Sequence, residues 1–151
     1  MSKMSTAQMT TAEARRFIEM AKRALIAEIR FPSKGATEEL DVVGDTKADI
    51  FTVNIFRGKI QRAKYNFGAR IKKNGVMLLE LHIGPTQVHT NPNGEKITGN
   101  HWHIYSEKYG RSEAFPAEDI EADSFVDNTV KFLTAFNVVE KPNVLFQLEL
   151  V

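Results

Sequence analysis

The sequence predicts an α+β domain, a mainly antiparallel β-sheet of about five to six strands packed against an N-terminal and a C-terminal helix. Two segments with helical apolar spacing flank a middle region in which apolar residues alternate at a period of two, with turn residues between the runs. A length of 151 residues, 42% hydrophobic with ten Phe, suits residues 1–151 as one domain with a substantial core. Residues 1–9 are polar and are expected to be flexible.

Thr10 and Glu13 form a capping-box pattern that opens the first helix. Ala14, Phe17, Ile18, Ala21, Leu25 and Ile29 then recur at helical spacing, leaving Arg15, Arg16, Glu19, Lys22 and Arg23 to solvent. Pro32 through Gly35 break the helix, and a short strand around Asp41–Val43 precedes the Gly44-Asp45 turn. From Asp49 to Phe56 the side chains Phe51, Val53 and Ile55 alternate with Ile50, Thr52, Asn54 and Phe56, and Arg57-Gly58 makes a turn. From Lys59 to Lys72 one face carries Ala63, Tyr65, Phe67, Ala69 and Ile71, and the other carries Arg62, Lys64, Asn66, Gly68, Arg70 and Lys72.

Lys73-Asn74-Gly75 closes a hairpin onto Val76–Ile83. A three-residue loop with Gly75 at a left-handed position pairs Lys72 with Val76. That register sets Ile71 opposite Met77, Ala69 opposite Leu79, Phe67 opposite Leu81 and Tyr65 opposite Ile83 on the core face. Asn66 then faces His82, and Gly68 faces Glu80. Residues 84–100 form a long loop rich in Asn, Gly and Pro, of a length that is often functional. A strand follows from His101 to Glu107, then a Lys108–Arg111 turn and a short strand ending at Phe115-Pro116. The second helix spans about Ser124 to Phe136, with Ser124 and Asp127 as a capping pair and Phe125, Val126, Val130, Leu133 and Phe136 as its buried stripe. Asn137 stops it, and after Pro142 the run Val144–Val151 reads as a last strand.

Without cysteine the chain has no disulfide and no thiolate, so any metal must be held by histidine and carboxylate. No apolar run is long enough to span a membrane and no signal-peptide pattern opens the chain, so a cytoplasmic location is expected. The net charge of +1 hides a dipole, since residues 1–75 hold 15 Lys/Arg against 8 Asp/Glu while residues 76–151 hold 5 against 11. Such asymmetry suits an anionic partner on one side, or mutual neutralisation of the halves across the fold.

All four histidines lie between His82 and His103. His101 and His103 are two apart on a strand, so their imidazoles share a face roughly 6.5–7 Å apart at the backbone. Tyr105 is next in line, with Trp102 and Ile104 on the core side. Two such imidazoles serve either as acid and base near neutral pH or as joint metal ligands. A metal set of His82, His101 and His103 with Glu80 is geometrically open if the two strands are neighbours. Serine-triad, phosphate-loop, dinucleotide-binding and HEXXH patterns are absent, and no histidine follows His103 to complete a two-motif cupin site.

Metal-free RNA cleavage needs an acid/base pair and a cation. His101, His103 and His89, with Tyr105, supply the catalytic candidates. Arg57, Lys59, Arg62, Lys64, Arg70 and Lys72 supply phosphate contacts, within a stretch from 57 to 73 that holds seven basic residues and no acid. Tyr65 and Phe67 face away from those basics and belong to the core. The stretch His82–His103 reads as a two-histidine strand with His89 on a mobile cover, rather than as a four-histidine cluster.

The run His89-Thr-Asn-Pro-Asn-Gly-Glu, then Gly99-Asn-His101-Trp-His103-Ile-Tyr105 and Tyr109-Gly110, resembles a small uncharacterised family of bacteria and their mobile elements. More distantly it is similar to the histidine-rich motif of TumE-type toxins of toxin–antitoxin pairs, over about residues 66–137. The resemblance implies a toxin-like, RNA-directed role with His101 and His103 as the positions carried over, although the Arg-x-Asp-x-x-Pro-His-His run of those toxins is missing. The first reading is thus a small nucleic-acid-directed protein of a bacterial or phage accessory locus, a metal-independent ribonuclease without cofactor whose partner is RNA. The alternatives are a non-enzymatic inhibitor or anti-defence protein that binds a cognate protein through its charged halves, with structural histidines, and a histidine-based metal-binding protein.

Overall fold

A computed structural model describes residues 9–59 and 64–146. The elements in chain order are α1 (Thr11–Glu19), β1 (Lys22–Ala24), β2 (Glu28–Arg30), β3 (Thr37–Val43), β4 (Ile50–Arg57), β5 (Tyr65–Ile71) and β6 (Met77–Ile83). Then come β7 (Val88–Thr90), β8 (Lys96–Thr98), β9 (His101–Ile104), β10 (Ala114–Pro116), α2 (Phe125–Ala135), β11 (Val138–Glu140) and β12 (Asn143–Leu145). The class is α+β with one helix near each end, as expected. The sheet is larger than expected: eight strands in the order β10-β9-β6-β5-β4-β3-β1-β11, mixed rather than wholly antiparallel because β1 and β11 run parallel. The short strand expected to end at Phe115-Pro116 is β10, whereas β1 and β11 escape notice because they are only three residues each, too short for alternation to show.

The capping box starts α1 where the sequence puts it, with Thr10 Oγ1 accepting from the Glu13 N–H and Glu13 Oε1 accepting from the Thr10 N–H, each at 3.0 Å. The helix ends at Glu19 and does not continue to Ile29. Residues 22–30 instead form β1 and β2, which pair in parallel with β11 and β12. That pairing is non-local; it overrides the local helical spacing and leaves Leu25, expected on the packed face, half exposed.

Both helices cover one face of the sheet. Phe17 of α1 and Phe136 beyond α2 meet Phe51 edge-on, while Phe132 stacks on Phe67. The inward stripe of α2 is Asn128/Thr129, Phe132/Leu133 and Phe136; it shares Leu133 and Phe136 with the predicted stripe, and Phe125 stacks on Phe31, whereas the predicted Val130 is 38% exposed. Two polar residues can lie inward because they are bonded: Asn128 Nδ2 donates to Tyr65 Oη at 2.8 Å and to the Glu121 carbonyl at 2.7 Å, and Thr129 Oγ1 donates to the Phe125 carbonyl at 2.8 Å. Ser124 caps α2 without a side-chain bond, and Asn137 ends it at a positive φ of 56°.

Lys22 joins the two helices. Its buried Nζ donates to the carbonyls of Ile18 (3.0 Å), Met20 (2.7 Å) and Phe136 (2.7 Å), at the C-terminal ends of α1 and α2. Burial, opposed by the charge of Asp45, pushes this amine down to about 7. Three carbonyl acceptors call for three N–H donors, which the ammonium has and the neutral amine lacks, so the cage itself favours the charged form.

The β5–β6 register pairs Tyr65 with Ile83, Asn66 with His82, Phe67 with Leu81, Gly68 with Glu80 and Ala69 with Leu79, all as predicted. Gly75 takes the predicted left-handed conformation, at a φ of 77°. Near the turn the register slips, so that Arg70 faces Met77 and the predicted Ile71–Met77 pair does not form. The extra residue turns Leu78 into the core beside Leu79, and Met77 lies over Gly68 on the opposite face. That opposite face, free of helices, runs from Glu39 and Asn54 through Gly68 and Glu80 to His103.

Of the predicted strand over Val144–Val151, Val144 and Leu145 belong to β12, and the residues after 146 lie outside the described part. So do residues 1–8 of the expected flexible start, and Ala63.

Candidate functional site

β6 and β9 are neighbours in the sheet, and their antiparallel register sets Glu80 opposite His103 and His82 opposite His101. Alternation along both strands then turns all four side chains to the helix-free face. His101, His103 and Glu80 are only 2%, 6% and 4% exposed. What covers them is the β7–β8 hairpin, folded from the stretch that reads as a loop in the sequence. Buried Asn91 ties that hairpin to β10, donating to the Ala114 carbonyl at 3.0 Å and accepting from the Ala114 N–H at 2.7 Å.

The hairpin brings His89 into the site. Its ring lies 5.6 Å from that of His101 and 4.9 Å from that of His103, and the His82 ring lies 5.1 and 4.7 Å from the same two. The stretch is therefore a four-histidine cluster after all, and the two-histidine description is corrected. A cover built of three-residue strands is invisible to periodicity, and its seating depends on Asn91.

Hydrogen bonds fix three of the rings. His101 Nδ1 donates to the Gly99 carbonyl at 2.8 Å, His89 Nε2 to the Ser112 carbonyl at 2.8 Å, and His82 Nε2 to Glu80 Oε1 at 3.1 Å. A carbonyl or carboxylate can only accept, so in each neutral ring the other nitrogen carries the lone pair. His103 Nδ1 is buried and has no hydrogen-bond partner. His82, His101 and His103 each place a ring nitrogen within 4.8 Å of the others.

Burial, then the neighbouring His82, pushes His103 down to about 4. Burial also lowers His101, partly offset by its bond to Gly99. Burial pushes Glu80 up, but the bonds from His82 and Arg111 and the Arg111 charge outweigh it and hold the carboxyl below its ordinary range. Arg111 grips Glu80 with two bonds, Nε to Oε2 at 2.8 Å and Nη2 to Oε1 at 2.5 Å. These groups, with Gln87 and Ser112, line an open pocket of about 320 Å³.

Several predicted residues lie elsewhere. Tyr105 turns into the core, and its hydroxyl donates to the Met9 carbonyl at 2.8 Å. Ile104, expected on the core side, is 39% exposed. Arg57 sits on the core side against the rings of Phe31, Phe125 and Phe146. Arg70 bonds Asn54 and Glu39, and Lys72 pairs with Asp41. Lys59 and Lys64 are exposed at the ends of the described segments, and Arg62 lies outside them. None of the described basics of this stretch lines the histidine pocket. Glu80 belongs to the site as the brace of His82, outside the three-nitrogen group. The residue that sequence reasoning missed is Arg111, read only as part of a turn. Its signal is the return strand, since a hairpin that pairs Ala114 with His103 carries the residues just before it past Glu80.

Among the described residues no helix is long and apolar enough to cross a membrane. A profile of the family of unknown function DUF6978 matches residues 9–138, which takes in both helices and the whole histidine pocket. No curated protein and no solved structure matches the chain.

Proposed function

Because the chain belongs to DUF6978, a family of unknown function, its site has to be read from its own chemistry, and we propose that it binds a divalent transition metal through His82, His101 and His103. The observation that carries this reading is the convergence of three ring nitrogens within 4.8 Å. In two of those rings a bond to a carbonyl or a carboxylate sets the tautomer and leaves the second nitrogen with the lone pair, the outer support that metal-bound histidines need. The third offers a buried nitrogen with no protein partner. Tetrahedral zinc with Zn–N of about 2.0–2.1 Å needs nitrogens about 3.3 Å apart, so binding draws the rings together by small side-chain rotations. With imidazole ligands and no sulfur, zinc, nickel, copper or cobalt suits the set better than calcium or magnesium.

The metal-independent ribonuclease reading draws less support from the same geometry. With His103 at about 4 and His101 lowered, both rings are neutral near pH 7, and the pair lacks its acid. The metal reading is tested by measuring bound metal after incubation with zinc or cobalt and dialysis. The wild type is expected to hold about one ion per chain, and His101→Ala/His103→Ala none. A folded wild type that holds no metal overturns the proposal. RNA incubated with both proteins, with and without EDTA, reads out the alternative, since cleavage that survives EDTA belongs to the acid–base pair.

A further inference from the structure

The geometry points to a small oxyanion, a carboxylate or a phosphate group, as the ligand that completes the site, bound between the metal and Arg111. This rests on the metal reading above. Three histidine ligands leave a tetrahedral ion one open position, and the pocket in front of them is open to solvent. The charges favour an anion there. Histidine ligands are neutral when bound to a metal, and the charges of Glu80 and Arg111 cancel each other in their two-bond pair. The two positive charges of the ion are then uncompensated in a site whose ligands His101 and His103 are almost wholly buried.

Room and donors favour more than a hydroxide. The pocket of about 320 Å³ is roughly ten times the about 30 Å³ of a liquid water. Arg111 spends Nε and Nη2 on Glu80, while its Nη1 makes no hydrogen bond among the described residues. A guanidinium held rigid along one edge, with donors left on the other, is arranged to take an oxygen of an oxyanion whose second oxygen sits on the metal. Among the described residues that line the pocket, Arg111 is also the only Lys or Arg.

Cobalt(II) makes the test visible. Cobalt-loaded protein, with loading checked by metal analysis, is titrated separately with inorganic phosphate and with acetate, and the visible absorption bands are followed. At least one anion is expected to shift the bands saturably. Arg111→Gln, kept at saturating cobalt, is expected to weaken that anion by about ten-fold or more, and Arg111→Lys by less. Which anion binds more tightly tells the phosphate source from the carboxylate one. Cobalt bands that neither anion moves overturn the inference and leave the metal reading standing, as does an anion bound equally by wild type and Arg111→Gln. If the protein takes up no cobalt, the metal reading fails and the inference falls with it.

Discussion

His103 is the side chain whose surroundings say most about the pocket, because it is buried, keeps a ring nitrogen without a partner and is held neutral. In the unfolded chain its pKa returns to the ordinary 6.5. Between about 4 and 6.5 the unfolded state binds the extra proton, so stability rises with pH across that window and is lost as pH falls through it. Urea unfolding of the metal-free protein is expected to show a loss on the order of 2 kcal/mol from pH 7 to pH 4 from this ring. The lowered Glu80 adds to the loss below its ordinary 4.5, and His103→Asn should flatten the upper part of the curve. In the proposed metal site Glu80 would act only through His82, whose Nε2 it holds. Glu80→Gln is therefore expected to weaken zinc binding by about 10–100-fold without abolishing it, as competition with a chromogenic chelator would show.

At the scale of elements, two ties outside the regular ladders hold the parts in place. Asn91→Ala strips both partners from the Ala114 backbone and is expected to cost about 2 kcal/mol, with faster amide exchange over residues 88–98. Zinc affinity should change little, since His82, His101 and His103 belong to β6 and β9. Lys22→Met leaves the carbonyls of Ile18, Met20 and Phe136 without a donor and is expected to cost about 3 kcal/mol by urea midpoint. Elements of this kind mark the boundary of what the sequence discloses. The capping box of α1, the alternation of β4 and β5, and five β5–β6 pairs are legible, because each depends on neighbours a few residues away or across one tight turn. The shared face of His101 and His103 is legible for the same reason. The bulge that turns Leu78 inward, the inward Asn128 and the parallel partners of β1 and β2 are not, because they answer to residues distant in sequence. Arg111 and His89 escape notice likewise, since each reaches the site from a separate hairpin. Tyr105 leaves the histidine face because its backbone N–H bonds the bulged Leu78, one step out of the β6–β9 alternation.

For the molecule as a whole, a ligand that binds only the folded chain must stabilise it. Zinc at 100 times its dissociation constant is expected to add about 2.7 kcal/mol and raise the melting temperature by about 5–10 °C, and the increment should vanish in His101→Ala/His103→Ala. The pocket and the Lys22 clasp stand at opposite ends of the sheet order, with β9 and β10 at one edge and β1 and β11 at the other. Their folding histories differ accordingly. From β3 through β6 each strand pairs with the next one in sequence, and β9 follows after a single short hairpin. The clasp instead joins Lys22 to Phe136 across 114 residues. The entropy of closing so long a loop is recovered only on a surface already in place. In pulsed hydrogen exchange the amides of β6 are therefore expected to gain protection before those of β1, so that a refolding chain acquires its histidine pocket while its two helices are still unclasped.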